Sequence, residues 1–433
     1  MATTITRRSL IQTAVAGTAS ILAGSAPSPA RAIPMRPFRL SLSVSPFTEM
    51  VLANGITFTD GVRNARTSEE LQSLFVAHGA TELYARIGTR RRFTPGNGNH
   101  GLERGLERAR LSKKLGIAFN PEIGLFPSYG DFTSQPGPDF SDFLQLKVPA
   151  EWHTLNIQQM RQLIREYSAL IANEIADTGA RVNFWDLGNE IDFGVAGVSV
   201  VPAAPDASYR APDKVDPEIG KMGFASLVQM PEPARIDWLS AHIWPHTARL
   251  LSAAVEGIKS VDPTARFSTH ISGVGPYWPK VALAFFQVHA DNGYLPDQLG
   301  TSFYPTSDAR QTDPLGRLKE TATLLYREMK RSVFIAEFAF PAATSAYAGG
   351  NWSKAIPGYA VSPHGQADFT HDLVKWGIQT GILSGIRPWA PDFVGPAWGG
   401  MALFDLKEKV ATARPALDAF RKAAADAAPG GVT

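Results

Sequence analysis

Two short apolar runs of this 433-residue chain each close on a glutamate: Phe184-Trp185-Asp186-Leu187-Gly188-Asn189-Glu190 and Ser332-Val333-Phe334-Ile335-Ala336-Glu337. Both runs read as buried strands, and a carboxylate is rarely buried without a partner or a task. Two carboxylates brought together from distant parts of a chain are the equipment for breaking a glycosidic bond. Carboxyl groups about 5 Å apart suit a retaining reaction through a glycosyl-enzyme intermediate, whereas roughly 6.5–9.5 Å admits a water and inverts the anomeric centre. The sequence leaves that choice open.

Positioning such a pair needs a frame, and the chain alternates strand-like with helix-like segments. Strands are expected at 39–44, 82–87, 117–123, 182–187, 266–271, 298–303, 332–336 and 384–388. Apolar residues at three- and four-residue spacing predict helices at 68–78, 102–115, 157–178, 233–261, 278–292, 315–330, 365–379 and 414–425. Ser68 reads as an N-cap, with Glu69 and Glu70 favouring the first turn, and Gly79 and Gly116 fall where helices should stop. Eight β/α units predict an α/β fold with a single (β/α)8 TIM barrel rather than an open doubly wound sheet. The first strand is followed by Ser45-Pro46-Phe47-Thr48, which lacks the glycine fingerprint of a dinucleotide site, and no cofactor is expected. In a barrel, Glu190 leaves the fourth strand and Glu337 the seventh, both at the end where such folds do chemistry. Two connections are long, 126–150 after strand 3 and 192–232 after strand 4, and both should shape a binding site.

The first 32 residues read as a twin-arginine export signal. Thr6-Arg7-Arg8-Ser9-Leu10-Ile11 precedes a small-residue apolar stretch through Leu22-Ala23 and a cleavage-like Ala30-Arg31-Ala32. The stretch is too short and too rich in small residues to span a bilayer, so residues 33–433 are expected to work without a membrane, in the periplasm or outside the cell. Of 42 basic residues against 40 acidic, Arg7, Arg8 and Arg31 belong to this leader, leaving 39 against 40. That balance offers no footprint for nucleic acid. The absence of cysteine excludes disulfides and thiolate metal sites. The 24 Phe, 10 Tyr and 9 Trp can fill one large core and still furnish platforms for sugar rings. The chain is expected to act as a monomer on a polysaccharide or oligosaccharide.

At the motif level the chain resembles clan A of the glycoside hydrolases, retaining (β/α)8 enzymes with Asn-Glu ending strand 4 and a lone Glu ending strand 7. Within the clan it resembles glycoside hydrolase family 53, the arabinogalactan endo-β-1,4-galactanases. The segments that carry the likeness are Leu187-Gly188-Asn189-Glu190-Ile191, Leu299-Gly300-Thr301-Ser302-Phe303-Tyr304-Pro305 and Ile335-Ala336-Glu337-Phe338-Ala339-Phe340-Pro341. Ser268-Thr269-His270-Ile271, Tyr129-Gly130-Asp131-Phe132 through Gln135-Pro136-Gly137, and Ala402-Leu403-Phe404-Asp405 match less closely. They keep the family order from about Arg39 to Phe420. The resemblance implies Glu190 as acid/base and Glu337 as nucleophile. Glu190 must then hold a proton near neutrality while Glu337 stays ionised, with Arg86 and Tyr304 as the candidate donors. Asn189 would bind the sugar 2-hydroxyl, Trp389 would floor a pyranose ring, and Asp131 and His270 would complete the substrate contacts.

Each assignment has a plainer alternative. Arg86 could pair with a surface acid, since Arg90, Arg91 and Arg92 read as a solvated loop; Tyr304 and Trp389 could serve packing, and His270 could be a core histidine. His242 and His246 are spaced to bind a metal from one helical face, but Pro245 lies between them and no acidic cluster matches, so no metal site is expected. The family's His-Tyr-Ser-Asp-x-Trp-Ala-Asp-Pro-Gly stretch is replaced by Pro127-Ser128-Tyr129-Gly130-Asp131-Phe132-Thr133-Ser134-Gln135-Pro136-Gly137, which loses residues of the sugar-binding wall. Trp389-Ala390-Pro391-Asp392-Phe393 stands where the family has Trp-Glu-Pro-Ala-Trp. The expected activity is retaining hydrolysis of a β-linked galactan or a related plant-type β-glycan. The alternatives are a clan A xylanase, glucanase or exo-β-galactosidase, and a non-catalytic carbohydrate-binding barrel.

Overall fold

The computed structural model describes residues 38–92, 99–205, 209–272, 279–307, 312–347 and 352–427. The expected export signal at 1–32 lies outside them, as does Trp278, the expected first residue of a helix.

Eight parallel strands form one sheet. Counting these strands alone, they are β1 (Arg39–Leu40), β2 (Glu82–Ile87), β3 (Ala118–Ile123), β4 (Trp185–Leu187), β5 (Phe267–Ile271), β6 (Gln298–Phe303), β7 (Ser332–Phe338) and β8 (Leu383–Pro388). Ladder pairing runs β1-β8-β7-β6-β5-β4-β3-β2. The ring closes where Thr81 N–H donates to Leu40 O at 2.9 Å. β1 is shorter than expected because side chains take over its outer half. Ser43 Oγ accepts from Tyr84 N–H at 2.9 Å, and the Gln72 amide bonds both Val44 N and Leu42 O at 3.0 Å. The main helices follow in alternation: α1 (Ser68–Ala77), α2 (Leu102–Lys114), α3 (Ile157–Asp177), α4 (Trp244–Lys259), α5 (Pro279–Asp291), α6 (Pro314–Met329), α7 (Pro363–Thr380) and α8 (Ala416–Ala427). The fold is a (β/α)8 barrel, with its apolar core between strands and helices.

Three local readings need correction. Thr67, not Ser68, caps α1, because only Thr67 has a glutamate at N3; Thr67 and Glu70 form a reciprocal capping box. The single helix expected over 233–261 is two, Glu232–His242 and α4, broken at Ile243 with Pro245 in the first turn of the second. The loop after β2 is not merely solvated: Arg90 pairs with Asp139 and Asp142 at 2.7 and 2.9 Å, and Arg91 with Glu174 at 2.7 Å. A small sheet that the sequence did not announce joins Phe404–Lys407 and Val410–Ala413 to Thr57–Thr59 and Asn64–Ala65. Among the described residues, no helix is long and apolar enough to cross a membrane.

The barrel interior is charged as well as apolar. Arg39 of β1 grips Glu82 of β2 with two bonds of 2.8 and 2.9 Å and reaches Asn120 and Gln298. Its guanidinium lies between the Phe184 and Phe334 rings, 4.4 and 4.2 Å from their centroids. Above it, Arg387 of β8 meets Asn120 at 2.7 Å, Glu122 at 3.2 Å and Asp186. Arg86 of β2 shares Glu122 and carries the column on to the barrel mouth.

Candidate active site

Glu190 reaches the mouth through a tight turn after β4. Gly188 has φ +77°, and a Cβ there would lie 2.5 Å from Ile191 Cγ2, so the turn requires glycine. Glu190 itself has φ +47°, a left-handed conformation that ordinary residues hold only where neighbours impose it. Those neighbours are specific. Glu190 N–H lies 3.3 Å from His270 Nε2, and Ile191 N–H donates to His270 O at 3.3 Å. Asp192 accepts from Ser272 N–H at 2.6 Å and from its hydroxyl at 3.0 Å, while Gln135 Nε2 donates to Asn189 O at 2.7 Å.

Glu337 is aimed by a β-bulge. Thr301 pairs with Ile335 but Ser302 pairs with Glu337, so Ala336 is the extra residue in β7. Such a bulge re-aims the side chains that follow it. Arg86 Nη2 donates to Glu337 Oε1 at 2.5 Å, and the Tyr304 hydroxyl donates to Glu337 Oε2 at 2.6 Å. Both donors considered for this carboxylate therefore reach it, one on each oxygen.

Asn189 is more committed than a residue held free for substrate. Its Nδ2 donates to Gly130 O at 2.7 Å, which turns Oδ1 toward Arg86 Nη2 at 2.5 Å and His270 Nε2 at 2.9 Å. His270 Nε2 thus faces both the Asn189 amide oxygen and the Glu190 N–H, and the tautomer of the imidazole decides which of the two bonds it makes. Burial, with Arg387 and Arg86 nearby, holds that imidazole well below the usual histidine range and therefore neutral.

The two glutamates sit in unlike surroundings. Glu190 is pushed well above the usual carboxylate range by burial, then by the charges of Glu337, Asp131 and Asp192, with only the Ser302 side chain opposing. Glu337 is raised as well, by burial above all with the Glu122 charge adding to it, but the Arg86 charge and the Tyr304 hydroxyl hold it back. Of the two, Glu190 is pushed the further towards its protonated form. Arg86, Asn189, Glu190, His270, Tyr304 and Glu337 are thus one connected network. Asp131 and Trp389 border it. Asp131 turns Oδ1 into its own loop, accepting from Thr133 N–H at 2.8 Å and Oγ1 at 2.6 Å. Trp389 lies edge-on to Trp398 at 4.6 Å and lines a cleft with Tyr84, Arg86, His100 and Arg387.

Sequence reasoning missed Glu122, which is fully buried between Arg86 and Arg387. The signal was present, since Glu122 lies inside the expected strand at 117–123. His242 and His246 converge on Asp216 Oδ2 at 3.0 and 3.7 Å, an acidic partner the sequence did not reveal. Among the described residues no cluster of three or more metal-binding side chains could hold an ion.

The barrel and its mouth define the class, a (β/α)8 glycoside hydrolase. The model of glycosyl hydrolase family 53 matches residues 96–420, and the chain belongs to that family. It is 23% identical over 345 residues to arabinogalactan endo-β-1,4-galactanase A of Emericella nidulans, covering 78% of this chain and 81% of that protein. The Ignisphaera aggregans GH53 catalytic domain superposes with a TM-score of 0.64 at 18% identity, covering 90% of this chain and 97% of that one. A fungal β-1,4-galactanase structure gives 0.64 at 16% identity, with 89% and 100% covered. At these identities the superpositions speak for the fold.

Proposed function

We propose that the protein hydrolyses β-1,4-linked galactan, or a closely related β-galactan, internally and with retention. The unequal surroundings of Glu190 and Glu337 carry this reading. Glu337, ionised under Arg86 and Tyr304, attacks the anomeric carbon while Glu190 gives its proton to the departing glycosidic oxygen. A glycosyl ester on Glu337 results. Glu190, now a carboxylate, takes a proton from water, whose oxygen attacks the same carbon and releases Glu337. The family membership and the galactanase relative support the choice of sugar.

A second reading, a barrel enzyme of another β-glycan specificity, is favoured by the altered 127–137 loop. Incubation with galactan, xylan and glucan, followed by product sizing, separates the two: oligomers from galactan alone support the first reading. Glu190→Gln and Glu337→Gln should each lower turnover by about 100- to 10,000-fold with the fold intact by circular dichroism. Near-wild-type release of reducing ends by either variant would refute the assignment, and a first-formed α-anomer would refute retention.

A further inference from the structure

The column of buried charge beneath the mouth ends on Glu337, and one of its members has no part in the reaction above. Glu122 of β3 is fully buried and gives one carboxylate oxygen to each of two guanidiniums. Its Oε1 accepts from Arg86 Nε, and its Oε2 from Arg387 Nη1 at 3.2 Å. Arg86 is thereby held at the base of its fork, while Nη2 at the tip reaches Glu337 Oε1 and Asn189 Oδ1, each at 2.5 Å. A guanidinium is planar and rigid, so the bond at Nε fixes where Nη2 points. Arg387 is fixed in turn by Asp186 and by Asn120 Oδ1 at 2.7 Å, with its Cζ 3.8 Å from the Tyr84 ring centroid.

The charges in this column do not match in number. Two cations, Arg86 and Arg387, serve three carboxylates, Glu122, Asp186 and Glu337, whose side chains are at most 7% exposed. The other groups near Glu122 carry no charge: His270 Nδ1, 4.0 Å away, is on the neutral ring, and burial keeps the Tyr84 hydroxyl protonated. Glu337 also faces the Tyr304 hydroxyl and Glu190. Glu122 therefore acts on Glu337 in two opposed ways. As an anchor it brings the Arg86 cation to that carboxylate, and as an anion it repels the charge there. We propose that Glu122 is a positioning residue: it holds Arg86 against Glu337, with Arg387 as its own counter-ion, and so sets the charge presented to the reacting carboxylate from inside the barrel.

The inference rests on the proposed hydrolysis, and its test separates the two. Glu122→Gln keeps an acceptor for Arg86 and removes the repelling charge, so Glu337 holds a proton less tightly. The acidic limb of kcat/KM on soluble galactan should move to lower pH by about half a pH unit or more. Glu122→Asp keeps the charge and shortens the reach, drawing Arg86 back from Glu337. The weakened direct bond outweighs the more distant repulsion, so the limb should move to higher pH and kcat/KM should fall by about tenfold or more. A glutamate that served the fold alone would lower stability in both variants and leave the limb in place. An unmoved limb in either variant that folds by circular dichroism, or movement in the same direction in both, overturns the proposal. If Glu122→Gln does not fold, the Glu122→Asp profile decides alone. If wild type hydrolyses no galactan, the function proposed above fails, and carboxyl-carbon NMR of protein labelled at its glutamates decides instead. The signal that Glu337→Gln removes must then titrate at lower pH in Glu122→Gln and at higher pH in Glu122→Asp, and an unchanged titration overturns the proposal.

Discussion

Glu337 carries two donors with separable roles. Arg86 supplies charge and also holds Asn189 and Glu122, so its removal would disturb several contacts at once. The Tyr304 hydroxyl donates to Glu337 Oε2 and lowers that carboxyl's proton affinity. Tyr304→Phe removes the bond and keeps the ring on Trp352. The proton affinity of Glu337 then rises, so in the proposed reaction the acidic limb of kcat/KM should move to higher pH while the alkaline limb, assigned there to Glu190, stays in place. A pH–rate profile reads both limbs, and an unmoved acidic limb would sink this account. Glu190 and Glu337 were legible because a carboxylate ending an apolar strand is conspicuous. The bond of Asn189 to Gly130 and the support from Gln135 were not, since they join loops whose meeting depends on the closed ring.

At the scale of elements, apolar runs and helical spacing foretold the eight strands and their helices because each element buries one continuous face. Boundaries failed where a partner decides them. The bulge at Ala336 exists only in register with β6, and the break at Ile243 hid in an apolar pattern that continues through Leu239, Ile243 and Trp244. α3 and α4 meet closely at Gly257, where an added Cβ would lie 2.2 Å from Arg165 O. Backbone cannot yield as a side-chain tip does. Gly257→Ala should therefore destabilise the protein by about 1–3 kcal/mol despite the better helix propensity of alanine. Urea unfolding measures this, and a stabilised variant would contradict the packing described.

For the whole molecule, the buried acid is a liability in alkali. The folded chain keeps a proton on Glu190 at pH values where the unfolded chain has released it. Between those two pKa values the folded state binds more protons, so stability falls as pH rises through the window. Glu190→Gln removes the titration. It should melt higher than wild type by on the order of 2 °C at about pH 8, with no advantage at about pH 4. Calorimetry at the two pH values tests this, and a difference independent of pH would count against it. The arginine column of Arg39, Arg387 and Arg86 has a wider consequence. The two glutamates receive part of their electrostatic bias from beneath, through side chains rooted in the staves. That part of the bias would outlast an exchange of the loops around the mouth, because Arg39, Arg86 and Arg387 are all anchored in barrel strands.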